Sequence, residues 1–171
     1  MSADLEFENL VKLYYGDLYR FGLSLTGNET DAADLTQETF YIWANKGHQL
    51  RNAASVKGWL FTTLHREFLK TCRRRNRFSH ESVDGRMEDL PNVPPDCAER
   101  ADSQILLRIL GEIAEDFRAP LVLYYMEDLS YNEIADILGL PLGTVQSRIA
   151  RAKIQLLRRL SETNLPVAQV K

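Results

Sequence analysis

The sequence contains little cysteine and no long apolar run. Its two cysteines, Cys72 and Cys97, form no CxxC pair and have no histidine at metal-ligand spacing, so neither a disulfide scaffold nor a zinc site is indicated. The longest apolar stretches, such as LVLYY, are far too short to span a bilayer, and the acidic start MSADLEFENL has no apolar signal core. We therefore expect a cytoplasmic protein with no membrane insertion.

Motifs of enzymes and nucleotide-binding proteins are also missing. The chain has no GxGxxG, GxxxxGK[ST], HExxH or GxSxG, and its three histidines at 48, 65 and 80 do not cluster. Asp34 and Glu38 lie one helical turn apart, but no pocket signature accompanies them. We expect neither an enzyme nor a bound metal or cofactor, although an enzyme of unknown class stays open as the weakest alternative.

Apolar residues recur at helical spacing through most of the chain, and no segment alternates like a strand. The spacing predicts helices over residues 5–25, 31–45 and 55–75, and then over 102–117. A polar stretch with four Gly and Pro residues separates the two sets. We predict an all-α fold of two small domains, 1–76 and 102–171, joined by a flexible linker at 77–101.

The end of the chain predicts a helix-turn-helix. After Pro120 the helical pattern restarts in PLVLYYM, and SYNEIADILG then carries a capping box, in which Ser130 and Glu133 each satisfy an unpaired N–H at the helix start. Gly139 supplies a left-handed stop, and Pro141 prevents the first helix from continuing. A second helix begins directly afterwards.

This second helix, GTVQSRIARAKIQLLRRL, contains no acidic residue, although the whole chain has a net charge of -3. Its inner face, at i, i+4, i+7 and i+11, consists of Val145, Ile149, Ala152 and Leu156. Hydrogen-bonding and cationic side chains that suit base edges and phosphates occupy the rest: Thr144, Gln146, Ser147, Arg148, Arg151, Lys153 and Gln155. A basic face is often only a solvated face, but here it accompanies the cap, the stop and the proline. Together they indicate DNA binding.

The motifs on both sides of the linker carry a family resemblance. FRAPLVLYYM with DLSYNEIADILGLPLGTVQSRIARAK resembles region 4 of bacterial extracytoplasmic-function (ECF) sigma factors of the sigma-70 family. DAADLTQETFYIW and SVKGWLFTTLHREFLKTCRRR resemble their region 2. The resemblance spans about residues 5–75 and 105–160. It implies a bacterial, cytoplasmic sigma factor that binds core RNA polymerase, directs it to promoters and initiates transcription.

The second predicted helix carries a row of acidic and polar side chains. On its own, such a row is most simply a solubility feature. The resemblance implies that it docks on the basic clamp coiled coil of the polymerase, while region 4 contacts the flap. Ala33 stands where the family usually has a third carboxylate. The implied polymerase-binding residues are Asp31, Asp34, Gln37, Glu38 and Tyr41.

The third predicted helix and the loop before it suit single-stranded DNA, which is held by cations along the backbone and by flat or polar groups around the bases. A plainer interpretation places Trp59 in the core and lets the RRR run end a helix favourably. The resemblance implies contact with the minus-10 element, although Arg66 and Lys70 replace residues common in relatives. The implied residues are Asn45, His48, Gln49, Arg51, Asn52, Trp59, Thr62, Arg66, Lys70 and Arg73.

For region 4 the resemblance implies reading of the minus-35 element as duplex DNA, with Arg148 and Arg151 as the leading contacts. An anti-sigma factor is a further candidate partner. Two alternatives stay open: a helix-turn-helix regulator that binds duplex DNA without polymerase, and a sigma-like decoy. The first leaves DAADLTQETF unexplained, and the second should have lost the basic face.

Overall fold

The structure, a computed structural model, describes residues 2–47, 50, 56–78 and 98–163. The described residues form seven α-helices and no strand, which confirms the predicted all-α class. The helices are α1 (Ser2–Thr26), α2 (Glu29–Lys46), α3 (Val56–Phe78), α4 (Ala98–Glu112), α5 (Glu115–Tyr125), α6 (Tyr131–Leu138) and α7 (Leu142–Glu162).

The first three helices pack side by side, and α1 contacts both α2 and α3. The α1–α2 turn is set locally: Gly27 is left-handed at φ 67°, and the Asn28 side chain accepts a hydrogen bond from the Asp31 amide at 3.1 Å. This turn lets α2 pack on α1, and α3 packs on both helices, with the ring centroids of Phe21 in α1 and Phe61 in α3 lying 5.5 Å apart. Helix α3 thus has one face in the core and one available for function.

The last four helices form a second bundle in which α7 packs on α4, α5 and α6. The two bundles also contact each other, because α1 packs on α5 and α3 packs on α6. Buried apolar side chains from both bundles form one continuous cluster, which includes Leu18, Leu64, Leu123 and Ile134. The halves are therefore packed together.

One helix prediction is wrong. Residues 102–117 were expected to form a single helix that stops before Pro120, but α4 ends at Glu112 and α5 runs from Glu115 through Pro120. No side chain caps α5 at Ala114. At the other side of the break, the Arg118 guanidinium donates to the carbonyls of Leu110 and Ile113 at 3.2 and 3.3 Å, around the C-terminal end of α4, where helix carbonyls lack intrahelical partners.

The helix ends also differ around the predicted linker. Helix α3 continues to Phe78 and α4 begins at Ala98, so helix covers both ends of the 77–101 span. Residues 79–97, the greater part of the predicted linker, lie outside the described residues. The division into 1–76, 77–101 and 102–171 stays a prediction.

Candidate nucleic-acid and polymerase interfaces

Helices α6 and α7 form the predicted helix-turn-helix. The capping box is present: the Ser130 amide donates to Glu133 Oε2 at 2.8 Å, and the Glu133 amide donates to Ser130 Oγ at 3.2 Å. The backbone hydrogen bond from Ser130 holds the pKa of Glu133 below its ordinary value. Gly139 is left-handed at φ 65°, and α7 starts directly after Pro141. The capping box, the left-handed Gly139 and Pro141 therefore determine where α6 ends and α7 begins.

Helix α7 has the two faces that its sequence predicts. Val145, Ile149, Ala152 and Leu156 are buried against the rest of the second bundle. On the opposite face, Gln146, Ser147 and Arg151 are exposed, whereas Thr144, Arg148 and Lys153 are half-buried. The packing of the inner face fixes which side chains α7 presents outward.

The two arginines expected to lead DNA contact differ in their surroundings. Arg148 Nη1 lies 3.7 Å from Asp116 Oδ1 at the start of α5. Arg151 forms no ion pair within the described part of the chain. Because Asp116 is 70% exposed, its pairing with Arg148 is weak and is easily exchanged for a phosphate. Arg151 is available without any exchange.

The predicted polymerase-binding residues lie along α2. Four of them are exposed: Asp34, Gln37, Glu38 and Tyr41. Asp31 is half-buried and accepts a hydrogen bond from Arg75 Nη2 of α3 at 2.8 Å, so it is already paired within the first bundle. Ala33, the departure from the family pattern, is also half-buried. The exposed acidic side chains of α2 are Glu29, Asp34 and Glu38, and the last two belong to the predicted polymerase-binding set.

The Trp59 side chain of α3 is half-buried. Trp59 packs edge-on against Trp43 of α2, with ring centroids 5.1 Å apart and an interplanar angle of 73°. The backbone of Gly47 lies against the Trp43 ring, because an added Cβ at Gly47 would be 2.6 Å from it. Trp59 therefore belongs partly to a packed aromatic pair, as the plainer interpretation expected, and still lies at the protein surface.

Among the other predicted minus-10 residues, Asn45, Arg66, Lys70 and Arg73 are exposed and Thr62 is half-buried. The Thr62 hydroxyl donates to the Gly58 carbonyl at 2.7 Å, and Lys70 Nζ lies 2.6 Å from Glu67 Oε1. The structure thus brings Trp59 and the basic residues onto one helix. The predicted loop residues His48, Gln49, Arg51 and Asn52 lie outside the described residues.

Sequence reasoning missed the polar contacts between the two bundles. Arg20 Nε of α1 donates to Glu127 Oε1 at 3.0 Å, across 107 residues of chain. Lys57 Nζ of α3 donates to the Glu127 carbonyl oxygen at 3.1 Å. Arg118 Nη2 donates to the Leu25 carbonyl oxygen at 3.2 Å. No local spacing pattern predicts pairs so far apart in the chain.

No group of three or more His, Cys, Asp or Glu side chains in the described ranges is placed to hold a metal ion. Within the same ranges, no helix has the length and apolarity needed to cross a membrane. Cys72 is half-buried, and burial raises the pKa of its thiol.

The fold and these surfaces define a two-part helical protein with a C-terminal helix-turn-helix, and comparison with known proteins identifies the class. Residues 10–78 match the family model of sigma-70 region 2, and residues 103–156 match that of sigma-70 region 4. The chain belongs to the ECF RNA polymerase sigma factors of the sigma-70 family.

Among the relatives, the ECF RNA polymerase sigma factor SigE of Mycolicibacterium smegmatis is 36% identical over 98% of this chain, which spans 66% of that relative's length. The ECF sigma factor EcfG of Rhodopseudomonas palustris is 30% identical over 81% of this chain and 76% of its own. A solved structure of the sigma factor RpoE from Bartonella quintana, in complex with the anti-sigma factor NepR, has a TM-score of 0.77. Its identity is 28%, and the match covers 91% of this chain and 97% of that one.

Proposed function

We propose that this chain binds core RNA polymerase in the bacterial cytoplasm, directs it to specific promoters and has no catalytic activity of its own. The observation that carries the proposal is the presence of both sigma-70 regions in one chain, each with the surface that its task requires. Region 2 presents an exposed acidic helix and a basic helix, and region 4 presents an outer helix face without acidic residues from Gly143 to Leu160.

For polymerase binding, Asp34 and Glu38 supply the charge, and Gln37 and Tyr41 supply neighbouring hydrogen-bonding and apolar contact. All four are exposed on one helix, so they meet a basic clamp coiled coil without rearrangement of α2. Opposite charges steer such an encounter and fix its register. Asp31 contributes less, because Arg75 already occupies its carboxylate. Region 4 contacts the flap in this proposal.

For the minus-35 element, α7 enters the major groove of duplex DNA with its outer face. Arg151 is exposed and unpaired within the described residues, and an arginine can bind the O6 and N7 atoms of a guanine with two hydrogen bonds. Arg148 also contacts DNA, once its ion pair with Asp116 is broken. Gln146 and Ser147 add neutral hydrogen-bonding groups, and Thr144 and Lys153 flank them.

For the minus-10 element, α3 holds the single strand. Arg66, Lys70 and Arg73 are exposed at successive turns, a spacing that lets cations follow a phosphate backbone. Trp59 and Thr62 lie nearer the start of the helix. Asn45 and the predicted loop residues His48, Arg51 and Asn52 complete the minus-10 set.

The test is transcription in vitro from a pool of bacterial genomic fragments by sigma-free core polymerase, with and without the full chain. A gel shift of the chain alone accompanies it. We expect defined new start sites that depend on the chain, and little DNA binding without polymerase. Specific duplex binding by the chain alone, with no new start sites, would instead support the helix-turn-helix regulator.

An anti-sigma factor is the second kind of partner that we propose. The support is the likeness to the B. quintana RpoE chain, whose structure contains the anti-sigma factor NepR. Affinity capture with the full chain, followed by release of transcription when the captured protein is removed, tests this partner.

A further inference from the structure

The last part of α3 extends beyond the core of the first bundle. Its buried side chains end at Phe68, and Cys72 is the last to pack against the apolar cluster. Every residue from 73 to 78 is exposed. Tertiary packing supplies most of the stability of helices in proteins, so a helix end with little packing opens easily. The core therefore does little to keep this end of α3 helical.

Four cations form a stripe along the outer side of α3, and two of them lie in this exposed part. They recur at i, i+4, i+7 and i+11, which is the spacing of one helix face, and all are exposed. The members of this cation stripe are Arg66, Lys70, Arg73 and Arg77. The stripe is about 16 Å long at a rise of about 1.5 Å per residue. It keeps this spacing only while residues 73–78 remain helical.

The inner side of the same part carries Arg75. Its position continues the buried side of α3, because Leu64, Phe68 and Arg75 are related by i, i+4 and i+11. Arg75 Nη2 donates to Asp31 Oδ2 of α2 at 2.8 Å. Asp31 lies in the first turn of α2 and Arg75 in the last turn of α3, so both charges also suit their helix dipoles. The pair therefore connects the exposed end of α3 to the start of α2, where the apolar core no longer reaches.

Asp31 is itself held in position. Its amide donates to the side chain of Asn28, the N-cap of α2, at 3.1 Å. Its side chain is 33% exposed and that of Arg75 is 65% exposed, so water screens the pair. Such a pair changes a local equilibrium by at most about fivefold. That is too little to determine whether the bundle folds, but it is enough to change how often a helix end opens.

We propose that Asp31 is a positioning residue of the minus-10 site, and that it acts through Arg75. The pair keeps the last turns of α3 helical, so that Arg73 and Arg77 stay in the stripe that Arg66 begins. The family resemblance implied a polymerase contact for Asp31 instead. The role in DNA binding rests on the proposed function, whereas the ordering of α3 does not.

Hydrogen exchange of the full chain without polymerase tests the ordering of α3. Asp31→Ala should lower the protection of the backbone amides of residues 73–78 by about threefold to fivefold, because Arg75 loses this acceptor. Glu29→Ala is the matched control. It also removes an acid from the first turn of α2, but Glu29 forms no ion pair within the described ranges, so the protection should not change. Equal protection in the wild type and in Asp31→Ala would overturn the ordering role.

A double-mutant cycle with Arg75→Gln tests whether Asp31 acts through Arg75. In the Arg75→Gln background, Asp31→Ala should cause no further loss of protection at residues 73–78, because its partner is already absent. A further loss as large as that in the wild-type background would overturn the route through Arg75. Amides in the buried part of α3, such as that of Leu64, should keep their protection in every variant, which shows that the bundle is folded.

Binding of promoter DNA tests the role in the minus-10 site. Core polymerase saturated with the full chain is titrated with promoter DNA whose minus-10 strand is single-stranded. Asp31→Ala should weaken binding about threefold and lower the slope of log Kd against log salt by about 0.7 for each lost phosphate contact, and Glu29→Ala should change neither.

The same titration separates the two roles of Asp31. Unchanged DNA affinity and slope in Asp31→Ala, with weaker binding of core polymerase, would overturn the proposal and return Asp31 to the polymerase interface. If saturating wild-type chain starts no transcripts, the proposed function and the role in DNA binding are both overturned. Hydrogen exchange would still decide the ordering of α3.

Discussion

Helices α3 and α7 are both proposed to contact DNA, yet they are packed differently in the fold. Helix α7 packs mainly on helices of its own bundle, and its outer face is largely free of internal partners. Helix α3 contacts α1, α2 and, across the interface, α6. Its Arg75 pairs with Asp31, and its His65 faces Glu115. The comparison shows that α7 keeps one outer face with few internal contacts, whereas α3 is engaged on more sides, although its predicted minus-10 residues Arg66 and Arg73 are exposed.

The largest expected effect concerns the core that joins these two regions. Leu64→Ala in α3 and Ile134→Ala in α6 each remove a fully buried side chain, and each should cost about 2–5 kcal/mol of unfolding free energy. Because the core is continuous, the chain should unfold in a single urea transition, which circular dichroism follows. Both variants should lower the urea concentration at the midpoint of this transition. Ile154→Ala, at a site 60% exposed, should change stability by less than about 0.5 kcal/mol. Two separate transitions would mean that the regions fold independently.

The next largest effect concerns the contact that α7 makes with DNA through Arg151. Arg151→Ala should weaken promoter binding by the holoenzyme, by about 1–3 kcal/mol at a base pair that it reads. Competition gel shifts with single-base promoter variants measure this loss. The control is Arg158→Ala, two turns further along the exposed side of α7. An equal loss on every promoter variant would make Arg151 a phosphate contact only.

A third effect concerns the start of α6. Ser130→Ala removes one side of the capping box and should cost about 1 kcal/mol of unfolding free energy, because the Glu133 amide loses its acceptor. Chemical denaturation measures the cost. Ser161→Ala, near the end of α7, is the control and should have little effect. A neutral Ser130→Ala would show that packing alone holds α6 in place.

The same cap should respond to acid. The pKa of Glu133 is lowered by its hydrogen bond with the Ser130 backbone, so its contribution is fully present above the ordinary glutamate pKa and is lost as pH falls through the lowered value. The protection of backbone amides at the start of α6, measured as exchange relative to the intrinsic rate at each pH, should therefore fall in acid. Glu133→Gln, which retains a hydrogen-bonding side chain, should remove this dependence. A loss of protection in acid that persists in Glu133→Gln would assign it to another group.

The smallest effect tests whether ion pairs within the chain reduce the affinity of α7 for DNA. Asp116→Asn frees Arg148 and should raise duplex affinity by less than about fivefold, because an exposed ion pair contributes at most about 1 kcal/mol. Glu112→Gln, which releases Arg159 instead, serves as the control. An increase of tenfold or more in Asp116→Asn would show that region 4 is also restrained within the chain.

The sequence predicted what local chemistry determines. The capping box, the left-handed Gly139 and the inner face of α7 all follow from spacing within a few residues, and the structure confirms each of them. The break before α5 could not be predicted in this way, because Arg118 stabilises it from several residues away. The Arg20–Glu127 pair is less predictable still, since it depends on how the two bundles pack.

For the surfaces, the sequence identified the faces but not their internal partners. The acidic side of α2 and the outer side of α7 were predicted from periodicity and family likeness, and most of those side chains are exposed. Two contacts depend on tertiary structure and had no sequence signal: the pairing of Asp31 with Arg75, and the packing of Trp59 on Trp43.

The most direct test of the division of work between α3 and α7 is a cycle of promoter and protein variants in single-round transcription with core polymerase. Arg151→Ala should make initiation insensitive to a substitution in the minus-35 element while leaving the response to a minus-10 substitution intact. Arg66→Ala should do the reverse. If both variants lose their response to the same element, the assignment of the two helices is contradicted.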